Sequence, residues 1–216
     1  MTPNEAIKRV AKELISQPDL RIVAISGPGE PLANIETFET LQGVLETHSK
    51  VRFCLSTNGT LLKEFLDRIC NLNVSTVSVS MSTQSYSSAA HLYEWANING
   101  RILMGKEMGK EIVTRQIDGI KSATEAGICV KVNTILIPEI NTKDMDPLSR
   151  IISDAGVQLQ NIVPLVMCES TKNLRPPSAS ELADARETAS KNIKQFMHCM
   201  QCRSDVIGLP GKDRVL

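Results

Sequence analysis

Short runs of aliphatic and β-branched residues alternate with segments of helical periodicity, and this alternation constrains the fold more than any other feature. Strands are predicted at residues 21–26, 51–56, 74–81, 129–137 and 157–165. Helices are predicted at about 2–17, 35–46, 61–72, 110–126, 143–155 and 180–195, with a long and mainly helical connection after the third strand. This order predicts an α/β fold in which helices cover a parallel sheet. Two windings remain open, a doubly wound sheet and part of a β/α barrel.

The charge balance and the apolar runs argue against two classes of partner. The 216 residues include 24 lysines and arginines and 24 aspartates and glutamates, so no net charge attracts nucleic acid or acidic lipid. The apolar runs are too short to span a bilayer, and the first residues lack the pattern of a secretory signal. We therefore expect a cytoplasmic protein without nucleic-acid or membrane partners.

An unusual loop, Gly-Pro-Gly-Glu-Pro at residues 27–31, follows the first predicted strand. Its two glycines permit a tight turn and a close approach to a ligand. Its two prolines lack amide donors, so the loop offers carbonyl groups and the carboxylate of Glu30. Phosphate prefers N–H donors, whereas an ammonium group prefers these acceptors. The loop indicates either an ammonium site or a rigid turn with Glu30 in solvent.

Polar residues also mark the ends of later strands, where ligands bind in both windings. The second strand leads into Ser-Thr-Asn-Gly at 56–59, which is also typical of a tight turn. The third strand carries Ser78, Ser80 and Ser82 near its end. The fourth contains Asn133, and an unpaired amide in a strand buried on both faces costs about 1–3 kcal/mol, so we expect a protein or ligand partner. Lys131, in the same strand, is compatible with an outward position.

Five of the six cysteines, all except Cys168, fall into two groups. Cys54, Cys70 and Cys129 lie inside apolar runs and are predicted to be small buried hydrophobic residues. Cys199 and Cys202 form a C-x-x-C pair, which indicates a metal or Fe–S cluster site or a redox dithiol. Two thiolates do not complete a four-ligand site, although the neighbouring His198 could add one ligand.

Several of these runs resemble known motifs. The loop at 27–31 resembles the Gly-Gly-Glu-Pro element of radical S-adenosylmethionine (SAM) enzymes, and 56–59 looks like their next strand-end motif. Other stretches resemble the NifB family of nitrogenase iron–molybdenum cofactor maturases, namely 91–95 (HLYEW), 100–109, 116–120 (QIDGI), 131–138 (KVNTILIP), and 198–205 (HCMQCRSD) with Gly-Leu at 208–209. This resemblance covers essentially the whole chain.

The resemblance implies a partial (β/α) TIM-like barrel of the radical SAM type that lacks its first strand. SAM would be bound by Gly27, Gly29, Glu30, Asn58, Ser80, Ser82 and Asn133. Within this set, Glu30 and the loop carbonyls would hold the SAM amino group. Cys199 and Cys202 would ligate the iron of an accessory Fe–S cluster.

The reaction implied by the resemblance is the fusion of two [4Fe–4S] clusters into an eight-iron precursor of the nitrogenase cofactor. One SAM would supply the carbon that becomes the central carbide. A second SAM would be cleaved reductively to a 5′-deoxyadenosyl radical. The implied partners are Fe–S cluster donors and nitrogenase cofactor assembly proteins.

One family feature, the C-x-x-x-C-x-x-C motif that holds the SAM-cleaving cluster, does not occur among the six cysteines. We expect that segment to precede Met1 and this chain to be inactive alone. Residues 1–178 are expected to form the truncated barrel domain, and 179–216 a helix and Cys-rich tail packed on it. The alternatives are a non-catalytic module that binds or transfers clusters and a different radical SAM maturase.

Overall fold

Strands and helices alternate along the chain, as the sequence pattern predicts. The computed structural model describes residues 1–27 and 29–197, and the backbone of 206–207 and 214–215. Its helices are α1 (Pro3–Ser16), α2 (Ile35–Thr47), α3 (Leu66–Asn71), α4 (Tyr86–Leu92), α5 (Gly105–Glu125), α6 (Pro138–Asn141), α7 (Met145–Asp154) and α8 (Ala179–Ser190). Its strands are β1 (Ile22–Ile25), β2 (Arg52–Thr57), β3 (Val74–Ser80), β4 (Ala96–Ile98), β5 (Arg101–Leu103), β6 (Cys129–Leu136), β7 (Leu159–Pro164), β8 (Val206–Ile207) and β9 (Arg214–Val215).

Five strands form one parallel sheet in the order β1-β2-β3-β6-β7. This order follows the chain without a reversal. A doubly wound sheet reverses its strand order at a switch point, whereas a β/α barrel adds each strand on the same side. The sheet therefore has the winding of a partial barrel, which decides between the two alternatives that the pattern left open.

The helices cover one face of this sheet and form the hydrophobic core with it. On β6 the residues Val130, Val132 and Leu136 are fully buried, and they belong to one cluster with Ile120 of α5 and Leu148 of α7. Burial of such side chains contributes about 1.5–3 kcal/mol each. The core therefore fixes which face of each strand is turned towards the helices.

The opposite, open face of the sheet carries polar side chains that range from buried, at Ser78 and Asn161, to exposed, at Ser80. Lys131 and Asn133 of β6 are half-buried there, beside Ser78 and Ser80 of β3 in the strand register. The expectation of strands buried on both faces is therefore wrong for β6, whereas Ser78 of β3 and Asn161 of β7 are buried on this face too. Lys131 lies on the face away from the helices, with its Nζ 5.7 Å from the centre of the Phe196 ring, so the expectation of an outward position is wrong. The short apolar runs suggested a sheet buried on both faces, whereas the helices of this sheet cover one face only.

Some element boundaries differ from the prediction. The connection after β3 contains α4 and a hairpin of β4 and β5 whose turn has Asn99 and Gly100 at positive φ. The third helix begins at Leu66 because turns occupy residues 60–65. The last helix ends at Ser190 because residues 194–196 run beside β7, where Gln160 bonds the backbone of Lys194 and Phe196. Among the described helices, none is long and apolar enough to cross a membrane.

Helix α8 adds its buried residues Ala185 and Ala189 to the same core cluster as the sheet. The stretch 198–205, with His198, Cys199 and Cys202, lies outside the described residues. The division of the chain at residue 178 stays a prediction.

Candidate functional site

The loop after β1 borders a cleft of about 380 Å³ at the carboxyl ends of β1 and β2. Three residues singled out from the sequence line it, namely Gly27, Gly29 and Glu30. Ser26, Asn34 and Ser56 add polar atoms to its wall. A Cβ built on Gly27 or Gly29 meets nothing within 4 Å, and Gly29 has a φ of 95°. The glycines therefore leave open space at the cleft, and Gly29 provides a backbone conformation that other residues rarely adopt.

The Glu30 carboxylate links the loop to the end of β2. Its Oε1 accepts hydrogen bonds from Leu32 N at 3.1 Å and Thr57 Oγ1 at 2.6 Å. Its Oε2 accepts one from Asn58 N at 2.7 Å. A carboxylate has about four acceptor positions, so the donors among the described residues leave one position on Oε2 for a cation. Glu30 is therefore a fixed part of the cleft wall, and the prediction that places it in solvent is wrong.

For Asn58 the sequence left open a tight turn and a position at the ligand-binding end of β2, and the structure shows the turn beside Glu30. Its side-chain Oδ1 accepts from Thr60 N at 2.9 Å and Thr60 Oγ1 at 2.7 Å, which is a local turn. The next residue, Gly59, has a φ of 81°, and a Cβ there would lie 2.7 Å from Val79 Cγ1. The turn chemistry of Asn-Gly is thus confirmed, and it brings the Asn58 amide to Glu30.

Ser80 and Asn133 are register partners on the open face of the sheet, where Asn133 Oδ1 accepts from Asn161 Nδ2 at 3.3 Å. Ser82 Oγ accepts from Ile135 N at 3.1 Å. Asn133 therefore finds its hydrogen-bond partner within the protein. Ser80 ends β3, whereas Asn133 lies inside β6, three residues before its end. Of the residues assigned to SAM, the described lining of the cleft contains Gly27, Gly29 and Glu30 but not Asn58, Ser80, Ser82 or Asn133. Their roles towards a ligand stay predictions.

Two buried amides, whose structural roles the sequence did not reveal, join the strand ends. Gln116 on α5 donates from Nε2 to the carbonyls of Asn58 at 2.7 Å and Ser80 at 3.0 Å. Asn141 on α6 donates to the carbonyls of Ser82 and Ile135, both at 2.8 Å, and accepts from a backbone amide through Oδ1. Gln116 has one sequence signal, its place on the apolar stripe of α5 with Ile112, Val113 and Ile120, where a buried polar group must be bonded. Asn141, between Ile140 and Thr142, has no such signal.

The cysteines do not occupy the positions that the sequence predicts. Cys70 and Cys129 are exposed, and Cys54 is half-buried, so the prediction of three buried residues is wrong. The cause for β2 and β6 is strand alternation, because Cys54 and Cys129 face away from the helices. Within the described ranges, no group of three or more His, Cys, Asp or Glu residues could hold a metal ion.

Two ionisable groups near this edge have shifted pKa values. Burial raises the pKa of the Tyr93 phenol, and a smaller opposing effect comes from the neighbouring Gln116 amide. Arg175 pairs with Glu181 at 2.6 Å and Glu139 at 3.0 Å. The hydrogen bonds from Arg175 and from the Ser178 backbone hold the pKa of Glu181 at about 2. Arg175 thereby connects α6, which follows β6, with α8.

Comparison with known proteins places this geometry in a family. The model of the Radical SAM superfamily matches residues 1–151. The FeMo cofactor biosynthesis protein NifB of Methanocaldococcus jannaschii is 38% identical over 97% of this chain and 69% of that protein. The chain belongs to the NifB family of the radical SAM superfamily. The NifB of Klebsiella pneumoniae is 37% identical over 99% of this chain, which spans 47% of that relative.

Solved structures share the fold at low sequence identity. A radical SAM methyltransferase from Sphaerobacter thermophilus matches with a TM-score of 0.68 and 17% identity, over 91% of this chain and 57% of the other. A domain of pyruvate-formate lyase-activating enzyme from Bacteroides vulgatus matches with a TM-score of 0.60 and 14% identity, over 81% of this chain and 97% of that domain. The predicted partial barrel of the radical SAM type is confirmed. Membership of the superfamily implies SAM and a [4Fe–4S] cluster as cofactors.

Proposed function

We propose that this chain provides the SAM-binding part of a radical SAM maturase for nitrogenase cofactor biosynthesis. The activity proposed for the whole protein is the fusion of two [4Fe–4S] clusters, with a carbon from SAM, into an eight-iron cofactor precursor. The family membership supports the class of reaction. Its proposed partners are Fe–S cluster donors and nitrogenase cofactor assembly proteins.

The free acceptor position on Glu30 Oε2 is the observation that carries the SAM site. Three donors hold the carboxylate in place, so it does not have to reorganise when it meets a cation. Gly27 and Gly29 leave room beside it for the amino acid part of SAM. Ammonium-to-carboxylate hydrogen bonds are among the stronger ones in proteins. The loop therefore suits the SAM amino group.

We assign the other strand ends to the rest of SAM. Asn58 Nδ2 and the hydroxyls of Ser80 and Ser82 provide donors along the edge, and Asn133 lies beside Ser80 on the open face. When bound beside a reduced [4Fe–4S] cluster, SAM supplies the 5′-deoxyadenosyl radical. Cys199 and Cys202 are proposed as ligands of an accessory cluster. The described residues offer no ligand set for the SAM-cleaving cluster, so this chain alone is expected to bind SAM without cleaving it.

Calorimetric titration with two ligands tests the SAM site. SAM carries the ammonium group, whereas 5′-methylthioadenosine has the same nucleoside without the amino acid. We expect wild-type protein to prefer SAM, and Glu30→Gln to lose that preference while its affinity for 5′-methylthioadenosine stays the same. The matched control is Glu125→Gln on α5, where the carboxylate pairs with Lys121 at 4.0 Å. A Glu30→Gln protein that keeps the SAM preference would overturn the site.

A second candidate function is a non-catalytic module that binds or transfers clusters. The absence of a C-x-x-x-C-x-x-C run among the six cysteines favours it for this chain. Anaerobic reconstitution with iron and sulfide discriminates the two. Cluster uptake without SAM binding favours the module, whereas SAM binding with the selectivity described above favours the maturase. Formation of 5′-deoxyadenosine by this chain alone would show that our expectation of inactivity is wrong.

A further inference from the structure

Gln116 is a buried amide that joins the ends of two neighbouring strands. Its side chain lies on α5, and the residue is 2% exposed. Nε2 uses both of its hydrogens, one on the Asn58 carbonyl at 2.7 Å and the other on the Ser80 carbonyl at 3.0 Å. One side chain from outside the sheet thus holds two residues of the carboxyl edge at a fixed separation.

These two carbonyls lie just beyond the point where β2 and β3 stop pairing. Their last register pair is Thr57 with Val79. One residue further along each strand, at Asn58 and Ser80, the Gln116 amide takes over the connection. Within the sheet, backbone hydrogen bonds set the spacing of β2 and β3. At Asn58 and Ser80 the side chain of Gln116 sets it instead.

The connection continues to Glu30. The Asn58 peptide accepts from Gln116 through its carbonyl, and Asn58 donates to Glu30 Oε2 through its own amide at 2.7 Å. The packing around Gly59 is close, because a Cβ on Gly59 would lie 2.7 Å from Val79 Cγ1 and a Cβ on Gly119 would lie 3.1 Å from the Gly59 carbonyl. A displacement at Gln116 is therefore transmitted to the cleft.

We propose that Gln116 is a positioning residue for the SAM site, which rests on the function proposed above. It acts on the backbone of the strand ends and through them on the carboxylate of Glu30. Gln116 sets the distance between the β1–β2 end, which holds the amino acid part of the ligand, and the β3 end, which carries Ser80 and Ser82. Without the Gln116 amide, the residues assigned to SAM are still present, but the distance between the two strand ends is no longer fixed.

Gln116→Met removes both donors and keeps the side chain apolar, unbranched and of similar length. The matched control is Gln160→Met on β7, because Gln160 is 0% exposed and also has a bonded amide, which donates to Thr134 Oγ1 at 3.1 Å and accepts from Gln195. Both variants lose a buried amide, but the Gln160 amide bonds the Thr134 hydroxyl, which donates to the Met81 carbonyl, and not the carbonyls of Asn58 and Ser80 that Gln116 holds. Urea unfolding measures the general loss of stability in each.

The readout specific to positioning is the Kd for SAM at equal folded fraction. We expect Gln116→Met to raise this Kd about tenfold, and Gln160→Met to leave it within about twofold. Gln116→Glu, which keeps the shape but places a carboxylate against two carbonyls, is expected to weaken binding at least as much. Equal changes in Kd for the variants at 116 and 160, or none at 116, would overturn the proposal.

Amide hydrogen exchange on the ligand-free protein separates this proposal from that of the SAM site. Gln116→Met is expected to speed exchange at the amides of Asn58 and Gly59 more than Gln160→Met does. If wild-type protein binds no SAM, the proposed function fails, and faster local exchange still establishes that Gln116 positions the strand ends. Unchanged exchange at these amides shows that Gln116 does not position them.

Discussion

The backbone amide of Asn58 donates a hydrogen bond of 2.7 Å to Glu30 Oε2 across 28 residues of the chain. Thr57, the preceding residue, donates its hydroxyl to the other oxygen of the same carboxylate at 2.6 Å. The end of β2 therefore orients the residue that we assign to the SAM amino group. The two motifs, which are separate in the sequence, form one unit in the structure.

Substitution of Thr57 by valine tests this unit without a change of shape. Thr57 is 3% exposed, and its hydroxyl also accepts from Gly59 N at 3.0 Å, so the variant leaves a buried amide unpaired. We expect a loss of about 1–3 kcal/mol in the free energy of unfolding. We also expect weaker SAM binding, because Glu30 loses a donor. Urea unfolding and calorimetry measure the two effects.

The control is Thr124→Val, because the Thr124 hydroxyl donates to the Ala155 carbonyl at 2.6 Å, far along the chain from the cleft motifs. This variant is expected to lose stability but keep its SAM affinity. If Thr57→Val binds SAM as wild type does, the hydroxyl is not needed to orient Glu30.

Asn141 is expected to be the more costly of the two buried amides to remove. It is 0% exposed and makes three bonds of 2.8 Å, to the amide of Ile137 and to the carbonyls of Ile135 and Ser82. Asn141→Leu leaves all three backbone groups without this partner, at about 1–3 kcal/mol for each buried group that stays unpaired. We expect the urea midpoint to fall further than in Gln116→Met. A midpoint equal to that of wild type would show that the β3 and β6 ends do not need this amide.

The pair of Arg175 and Glu181 predicts how stability depends on acid. Hydrogen bonds from Arg175 and Ser178 lower the pKa of Glu181 from 4.5 to about 2. A lowered folded-state pKa means that the ionised group stabilises the fold above the unfolded pKa, and that this contribution disappears as the pH falls towards 2. The urea midpoints of wild type and Glu181→Gln should therefore differ most at neutral pH and converge between about pH 4.5 and 2.

Glu125→Gln is the control for this titration, since the Glu125 carboxylate lies 4.0 Å from its partner Lys121. Its midpoint is expected to follow that of wild type throughout the acid range. A constant difference between wild type and Glu181→Gln at every pH would exclude the proposed linkage.

Much of the fold was predictable because apolar residues recur at a different spacing in strands than in helices. Alternating aliphatic runs predicted each strand of the parallel sheet, and Gly59 and Glu30 were recognisable as turn and loop residues. The open face was not predictable, because a short apolar run looks the same whether one or two faces are covered. Cys129 shows this ambiguity, since it lies between Ile128 and Val130 in the sequence yet is exposed.

The links between the strand ends were not predictable either. Gln116 and Asn141 act on the carbonyls of Asn58, Ser80 and Ser82, which are 36 to 59 residues distant, and periodicity carries no information about such pairs. The hairpin of β4 and β5 was missed because each strand has three residues, which is too short to show the alternation of apolar and polar residues that identifies a strand. Long-range contacts and short strands both need the assembled fold.

Two helical glycines at helix contacts give the last prediction. A Cβ on Gly109 of α5 would collide with the Tyr86 carbonyl oxygen and lie 3.0 Å from Ala90 N, both of which belong to the backbone of α4. A Cβ on Gly43 of α2 would meet the Ile7 side chain of α1 instead. A side chain can rotate away, whereas a helix backbone must shift as a whole.

We therefore expect Gly109→Ala to destabilise the protein by about 1–3 kcal/mol, although alanine favours helices by up to about 1 kcal/mol over glycine. Gly43→Ala should change the unfolding free energy by less than about 1 kcal/mol, because the helix preference of alanine offsets the movement of Ile7. Urea unfolding of the two variants measures the contrast. Equal effects would mean that α4 and α5 can separate as easily as Ile7 can rotate. The close contact of Gly109 with α4 would then not be needed to hold α5, which carries Gln116, in place.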